Sequence, residues 1–159
     1  MADFYIRQAS LDDCIYVARH ISPADAAEID AARRCGTEAA LRGCWIRSER
    51  SWAVYMRRAG RGRRPVCCFV FGVGLADWRW VDLWAFSTPD IEEKFREFAR
   101  GSLAVASMLM ERYPYLRGYV DVRHIRSVRW LRFMGFSIGE AVHYGFHGEL
   151  FYPFYFIRG

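Results

Sequence analysis

Two groups of residues in this chain carry side chains able to do chemistry. The first comprises proton donors and acceptors: Asp82, Tyr119 and His124. Asp82 lies in the alternating run Trp80-Val-Asp-Leu-Trp-Ala-Phe86, and a carboxylate in such a strand can serve as a general base when its surroundings tune its pKa. It equally suits a hydrogen-bonded sheet residue on a Trp-Asp-Trp face. His124 falls between an apolar strand pattern and a helical one. That is the carboxyl end of a strand, where ligands of α/β folds gather, and it also suits a helix cap. Tyr119 and Tyr144 are phenols that can donate a proton, but with nine tyrosines no single one stands out. Cys67 and Cys68 would need an adjacent base to act as nucleophiles, and no spacing supplies one.

The second group is arginine. Arg57, Arg58, Arg61, Arg63 and Arg64 crowd residues 57–64, with two glycines between them. A basic turn of this kind can contact phosphates, or can simply be solvated. It holds no interleaved aromatics, so a base-stacking platform is not indicated. Arg126, Arg129 and Arg132 recur at helical spacing and form a second basic row, expected on the solvent side. The five cysteines are odd in number and lack metal-ligand spacing, so no metal site is expected. They read as buried, reduced thiols.

Composition bounds the rest. The chain has 159 residues, which predicts one domain with a real core. Hydrophobic residues make up 53% and aromatics 17%, which excludes an intrinsically disordered class. The net charge of +5 rests almost wholly on arginine, since Lys94 is the sole lysine. That balance permits anionic partners, nucleic acid through the arginine turn included, without requiring them. No apolar run is long enough for a membrane span, so no membrane partner is expected. No signal-peptide pattern opens the chain, which predicts a protein that is not secreted.

Periodicity and punctuation place the elements. Residues 4–9 read as a strand, and Ser10 caps a helix over residues 11–21. Ser22-Pro23, followed by Asp25 and Glu28, starts a second helix that runs to Cys35 and stops at Gly36. Thr37 caps a third, through Leu41 to about Arg47. Strands follow over residues 52–56, 66–75 and 79–86, then a long helix from Pro89 to Tyr113. A strand over 116–122, a helix over 124–134 closed by Gly135, and a hairpin of residues 137–144 and 149–157 complete the chain. The aromatic tail Leu150-Phe-Tyr-Pro-Phe-Tyr-Phe-Ile157 reads as a strand apolar on both faces, buried twice or docking a partner. Pro153 fits an edge or a bulge there better than a central position.

This order, with the strand–loop–helix–Gly135-Phe136 pattern, resembles the GNAT N-acetyltransferases. The resemblance implies an α+β fold: a mixed, mostly antiparallel central sheet flanked by helices, forming a single GNAT-like domain over residues 1–159. It also implies an acetyl-CoA pocket, with Trp84, Phe86, Arg96 and His124 as the residues placed to meet the cofactor. In that family a Gln/Arg-x-x-Gly-x-Gly/Ala turn cradles the pyrophosphate on backbone N–H groups. Here the matching segment is Ser87-Thr-Pro-Asp-Ile-Glu-Glu-Lys94, which has no glycine, loses a donor at Pro89 and carries three acids. The family's later signature puts Asn where this chain has His124, and the proton-donating Tyr where it has Leu131. Leucine cannot donate a proton. The resemblance therefore implies a degenerate site: no cofactor is expected, and acetyl-CoA is the one expected if the protein is catalytic.

From Gly74 onward the Trp-rich strand, Ser87-Thr88, Lys94-Phe-Arg-Glu-Phe98, Glu111-Arg-Tyr113 and His124-Ile-Arg126 resemble the small internal virion protein A family of short-tailed bacteriophages. What that resemblance implies is a non-catalytic part in virion assembly, with a phage structural or host protein as partner. It implies a place in the host cell cytoplasm, with the virion as a further destination. The alternatives are an acyl-CoA-dependent N-acetyltransferase with an atypical pyrophosphate loop, and an arginine-rich nucleic-acid-binding module.

Overall fold

The computed structural model of the chain describes residues 3–159. The elements are β1 (Phe4–Gln8), α1 (Leu11–Arg19), α2 (Pro23–Ala32), α3 (Thr37–Arg47), β2 (Arg50–Met56), β3 (Val66–Leu75) and β4 (Val81–Ser87). A 3-10 segment (Pro89–Lys94) leads into α4 (Phe95–Arg112), followed by β5 (Tyr115–Asp121), α5 (Ile125–Met134), β6 (Ser137–Ile138), β7 (Val142–Tyr144) and β8 (Glu149–Ile157). The strands form one sheet in the order β1-β2-β3-β4-β5-β8-β6, with β7 also on β8. Every pairing is antiparallel except that of β4 with β5. This is the mixed, mostly antiparallel sheet flanked by helices that the sequence predicts.

Local chemistry explains the element starts. The Ser10 hydroxyl accepts from Asp13 N–H at 3.1 Å while the Asp13 carboxylate accepts from Ser10 N–H at 2.9 Å, a reciprocal cap on α1. Ser22 caps α2, with Pro23 in its first turn. Thr37 does not cap α3 as expected: Gly36 holds the cap position, and the Thr37 hydroxyl donates to the Ala18 carbonyl at 3.3 Å. Gly135 ends α5 at φ 106°, a conformation that side-chain-bearing residues rarely adopt. α2 stops at Ala32, short of the expected Cys35, because Arg33 turns to extended backbone.

The sheet separates two apolar cores. Phe69, Phe71, Phe98, Leu116, Leu131 and Phe154 pack under α4 and α5. Val17, Ile29, Leu41, Ala53, Val70 and Phe86 pack under α1–α3. Cys67 and Cys68 face opposite cores, as adjacent strand residues must. A bulge in the β2–β3 register skips Cys68, so Cys68 and Phe69 both turn to the α4/α5 side. Cys35, unlike the other thiols, is exposed, which corrects the expectation of uniformly buried cysteines.

Two expectations at the carboxyl end change. The strand expected over 137–144 breaks into β6 and β7. Pro153 is not at an edge: β8 lies between β5 and β6, with Pro153 opposite Tyr119. The Pro153 carbonyl accepts from Gly139 N–H at 2.8 Å, so the side of the strand that lacks an N–H faces the gap between β6 and β7.

Candidate functional site

The parallel pair β4–β5 is joined at only two positions, Val81–Leu116 and Asp82–Arg117. Beyond them the strands diverge toward their carboxyl ends. Gly118 sits just past the last pair, and a Cβ there would come within 2.9 Å of the Leu83 carbonyl, so this close approach needs glycine. The divergence opens a wedge whose cavity measures about 1160 Å³. Its walls come from both cores: Phe98, Trp130 and Leu131 on one side, Ile29, Trp84 and Tyr144 on the other. Aromatic contacts stiffen the first wall, with Phe98 5.0 Å from Phe69 and 5.6 Å from Trp130 between ring centroids.

A polar cluster lines the wide mouth. Asp25, in the first turn of α2, accepts from Ser87 N–H at 2.7 Å and Ser87 Oγ–H at 3.0 Å. Its other oxygen lies 3.1 Å from Nε2 of His124. The Ser87 carbonyl accepts from Ser22 N–H at 2.9 Å. The outward backbone groups of the last β4 residue are thus bonded by α2. His124, the N-cap of α5, takes the Ser127 N–H on Nδ1 at 3.4 Å, which leaves Nε2 to donate to Asp25. Glu28, one turn after Asp25, accepts from Asp121 N–H at 2.7 Å at the end of β5. Asp121 is itself clamped by Arg123, whose Nη2 lies 2.6 Å away.

Burial and charge set the protonation of this cluster. Burial, reinforced by the charges of Asp25 and Asp121, pushes the Glu28 carboxyl up to about 7. Burial works against the His124 imidazolium, but its bond to Asp25 and the charges of Asp25 and Glu28 outweigh that, so its pKa is raised. Burial is likewise outweighed at Asp121, whose bonds to Arg123 lower its pKa. Both shifts favour the protonated forms, so a proton is held readily in this cluster.

The helix start facing the mouth is already satisfied. Thr88 Oγ accepts from Asp90 N–H at 3.3 Å and donates to the Asp90 carboxylate at 3.1 Å. Pro89 contributes no N–H. Glu92 reaches across to Arg126 of α5 at 2.6 Å, and the Arg126 guanidinium lies 3.6 Å from the Phe95 ring centroid. The first donor of this turn is therefore taken by Thr88, and the acids around it would repel a bound anion. At the position of the family's tyrosine, Leu131 is buried in the α4/α5 core and offers no proton.

The residues singled out from sequence separate into three places. Asp82, Trp84, Phe86, Tyr119 and His124 all line the wedge cavity, and Arg96 does not. Asp82 sits at its narrow end, exposed and held by Arg117 at 2.9 Å. Trp84 donates its indole N–H to Ser48 Oγ at 2.7 Å. Tyr119 stacks on Tyr144 with centroids 3.9 Å apart, and burial pushes the Tyr144 phenol up, which keeps it protonated. Arg57, Arg58, Arg61, Arg63 and Arg64 lie in the exposed β2–β3 turn, where Arg58 donates to the Arg64 carbonyl at 3.1 Å and Arg57 lies 4.6 Å from the Tyr5 ring centroid. Arg96 and Arg129 line an adjoining groove that shares Phe95, Arg126 and Trp130 with the wedge. Arg126 was expected on the solvent face with Arg129; its ion pair and ring contact draw it inward instead. Asp25, Glu28, Ser87 and Asp121 were not singled out. The two α2 acids read as helix-start residues, and only their shared helix face hinted otherwise. Among the described residues no cluster of His, Cys, Asp or Glu has the arrangement of a metal site, and no helix is long and apolar enough to cross a membrane.

No protein-family profile matches the sequence, and no curated protein matches it. Solved structures do share its fold. The spermidine N-acetyltransferase of Vibrio cholerae, solved with CoA and spermine, is 12% identical with a TM-score of 0.67, covering 98% of this chain and 95% of its own. Ard1 of Thermoplasma volcanium is 18% identical with a TM-score of 0.64, over 99% of both chains. A GNAT-family acetyltransferase of Bacillus anthracis is 12% identical with a TM-score of 0.66, covering 96% of this chain and 92% of its own. At these identities the likeness establishes the GNAT fold and leaves the chemistry to the site.

Proposed function

We propose that the protein is a GNAT-fold scaffold that works by binding a protein partner and does not transfer acetyl groups. The observation that carries this reading is the bridge that Asp25 makes at the wedge mouth between Ser87 and His124. Its carboxylate and the Ser22 N–H take up the outward edge of Ser87, and Thr88-Pro89-Asp90 fills the adjoining helix start. A pyrophosphate there would meet Asp90, Glu92 and Glu93 and find no glycine turn to approach. The resemblance to the small internal virion proteins of short-tailed phages supports a virion or host protein as the partner.

A second reading, an N-acetyltransferase with an unusual cofactor approach, is favoured by one observation. Glu28, with its pKa near 7, lines the same cavity as His124 and Tyr144 and would suit a base that takes a proton from an attacking amine. In that reaction the amine would attack the thioester carbonyl, the C–S bond would break, and the CoA thiolate would leave and take up a proton.

Release of free CoA thiol from acetyl-CoA, measured with polyamine and peptide amines as acceptors, tests the two. The scaffold reading expects only background release, the same in wild type, Glu28→Gln and His124→Ala. Turnover that these substitutions abolish overturns it and establishes the second reading.

A further inference from the structure

Next to the wedge, and sharing Phe95, Arg126 and Trp130 with it, α4 and α5 flank an open surface groove of about 510 Å³. Arg96 and Arg100 project into it from successive turns of α4, and Arg126 and Arg129 from α5. Phe95, Trp130 and Phe133 supply its apolar lining, with Phe133 53% exposed. Among the described residues only Arg126 of these four arginines has an ion-pair partner, Glu92. Arg96, Arg100 and Arg129 bring three unneutralised guanidinium groups around an exposed phenyl ring. Such a surface is complementary to carboxylates flanking an apolar side chain.

We propose that the α4–α5 groove docks an acidic segment of a partner protein, with Arg96, Arg100 and Arg129 taking its carboxylates and Phe133 an apolar side chain between them. This goes beyond the scaffold reading and rests on it only in taking the partner to be a protein.

The surroundings select a peptide over a nucleic acid. A single strand needs a continuous basic track and aromatic faces for successive bases. Here the track is broken, because Arg126 between the two helices is already neutralised by Glu92. The rings are engaged as well. Arg126 covers Phe95, and Trp130 donates to Ser102 Oγ at 2.9 Å while packing against Phe69 and Phe98. Phe133 alone offers an open face, enough for one apolar side chain.

The test is fluorescence anisotropy with a labelled synthetic peptide of Asp and Glu around a central Phe, added to the full-length protein. Controls are the same peptide with Lys in place of its acids, oligo-dT and CoA. The expected result is saturable binding to the acidic peptide alone, weakened at least about tenfold in R96E/R129E and severalfold in Phe133→Ala. It also weakens with salt, as contacts to charged side chains at a surface do. These side chains are exposed, so the variants should keep the wild-type melting temperature. As a check that does not rely on variants, the peptide should shift the amide resonances of α4 and α5. Saturable binding that R96E/R129E leaves unchanged, preference for the Lys peptide, or displacement by oligo-dT or CoA at lower concentration overturns the proposal. So does the lack of saturable binding. Failure here with no acetyl-CoA turnover removes the groove and leaves the scaffold reading standing, whereas acetyl-CoA turnover removes the scaffold reading whatever the peptide does.

Discussion

Asp25 and His124 stand ninety-nine positions apart in sequence and meet at 3.1 Å across the mouth of the β4–β5 wedge. With Ser87 on the other carboxylate oxygen, Asp25 ties α2, the end of β4 and the start of α5 into one point. The strands pair only at their starts, Val81–Leu116 and Asp82–Arg117, and separate beyond. The chain then bridges its own gap with a buried carboxylate.

Removing that carboxylate should be costly. Asp25→Ala leaves the Ser87 N–H and His124 without their acceptor in a buried setting, and should destabilise the fold by about 2–4 kcal/mol. Urea unfolding checks this. A change below about 0.5 kcal/mol would mean that the mouth is open in solution and that water replaces Asp25.

Stability should peak in mildly acidic solution. Glu28 is protonated more readily folded than unfolded, from an ordinary 4.5 up to about 7, so its contribution is complete below 4.5 and is lost as pH rises through 7. The raised His124 pKa acts in the same direction: its contribution is present below the unfolded value of 6.5 and is lost above its folded one. Asp121 acts oppositely, its lowered pKa giving stability that is lost on acidification through the folded value. Melting curves should therefore weaken from about pH 5 to pH 8. Glu28→Gln should remove a share on the order of 2 kcal/mol of that loss. A flat profile in wild type would contradict the raised pKa of Glu28.

Gly118→Ala probes the wedge itself. The added methyl would press on the Leu83 carbonyl and the Phe154 ring, and should cost about 1–3 kcal/mol. Thermal unfolding checks it. Tolerance would mean that β4 and β5 stand farther apart at this point.

Thiol labelling separates the cysteines. Of the five, Cys35 alone is exposed, and burial holds Cys14, Cys67 and Cys68 up at about 12. Native protein should react quickly at one site, and all five should react in denaturant. Fast labelling of Cys67 or Cys68 in the native state would show that the central strand is accessible.

What the sequence reveals and what it hides follow from range. Ser10, Ser22-Pro23 and Gly135 act on neighbours within a few residues, so the starts and ends they mark were legible. The apolar run over residues 66–75 likewise marked its strand. Asp25 and Glu28 carry no such local mark. Their partners lie 62, 93 and 99 positions away, at Ser87, Asp121 and His124. A helix-start acid reads the same whether it faces water or a strand end. Pro153 was misplaced for a related reason: only the break between β6 and β7 makes room for a missing N–H in a central strand. The loss of the glycine turn after β4 was plain in Ser87–Lys94, but not that the chain's own Asp25 would occupy the neighbouring edge.

Calorimetric titration of acetyl-CoA into the wild-type protein tests the central claim most directly. The account predicts no heat of binding at millimolar ligand, because the outward groups of Ser87 and the first turn after it are already bonded. Saturable binding with a micromolar dissociation constant, accompanied by a rise in melting temperature, would contradict it.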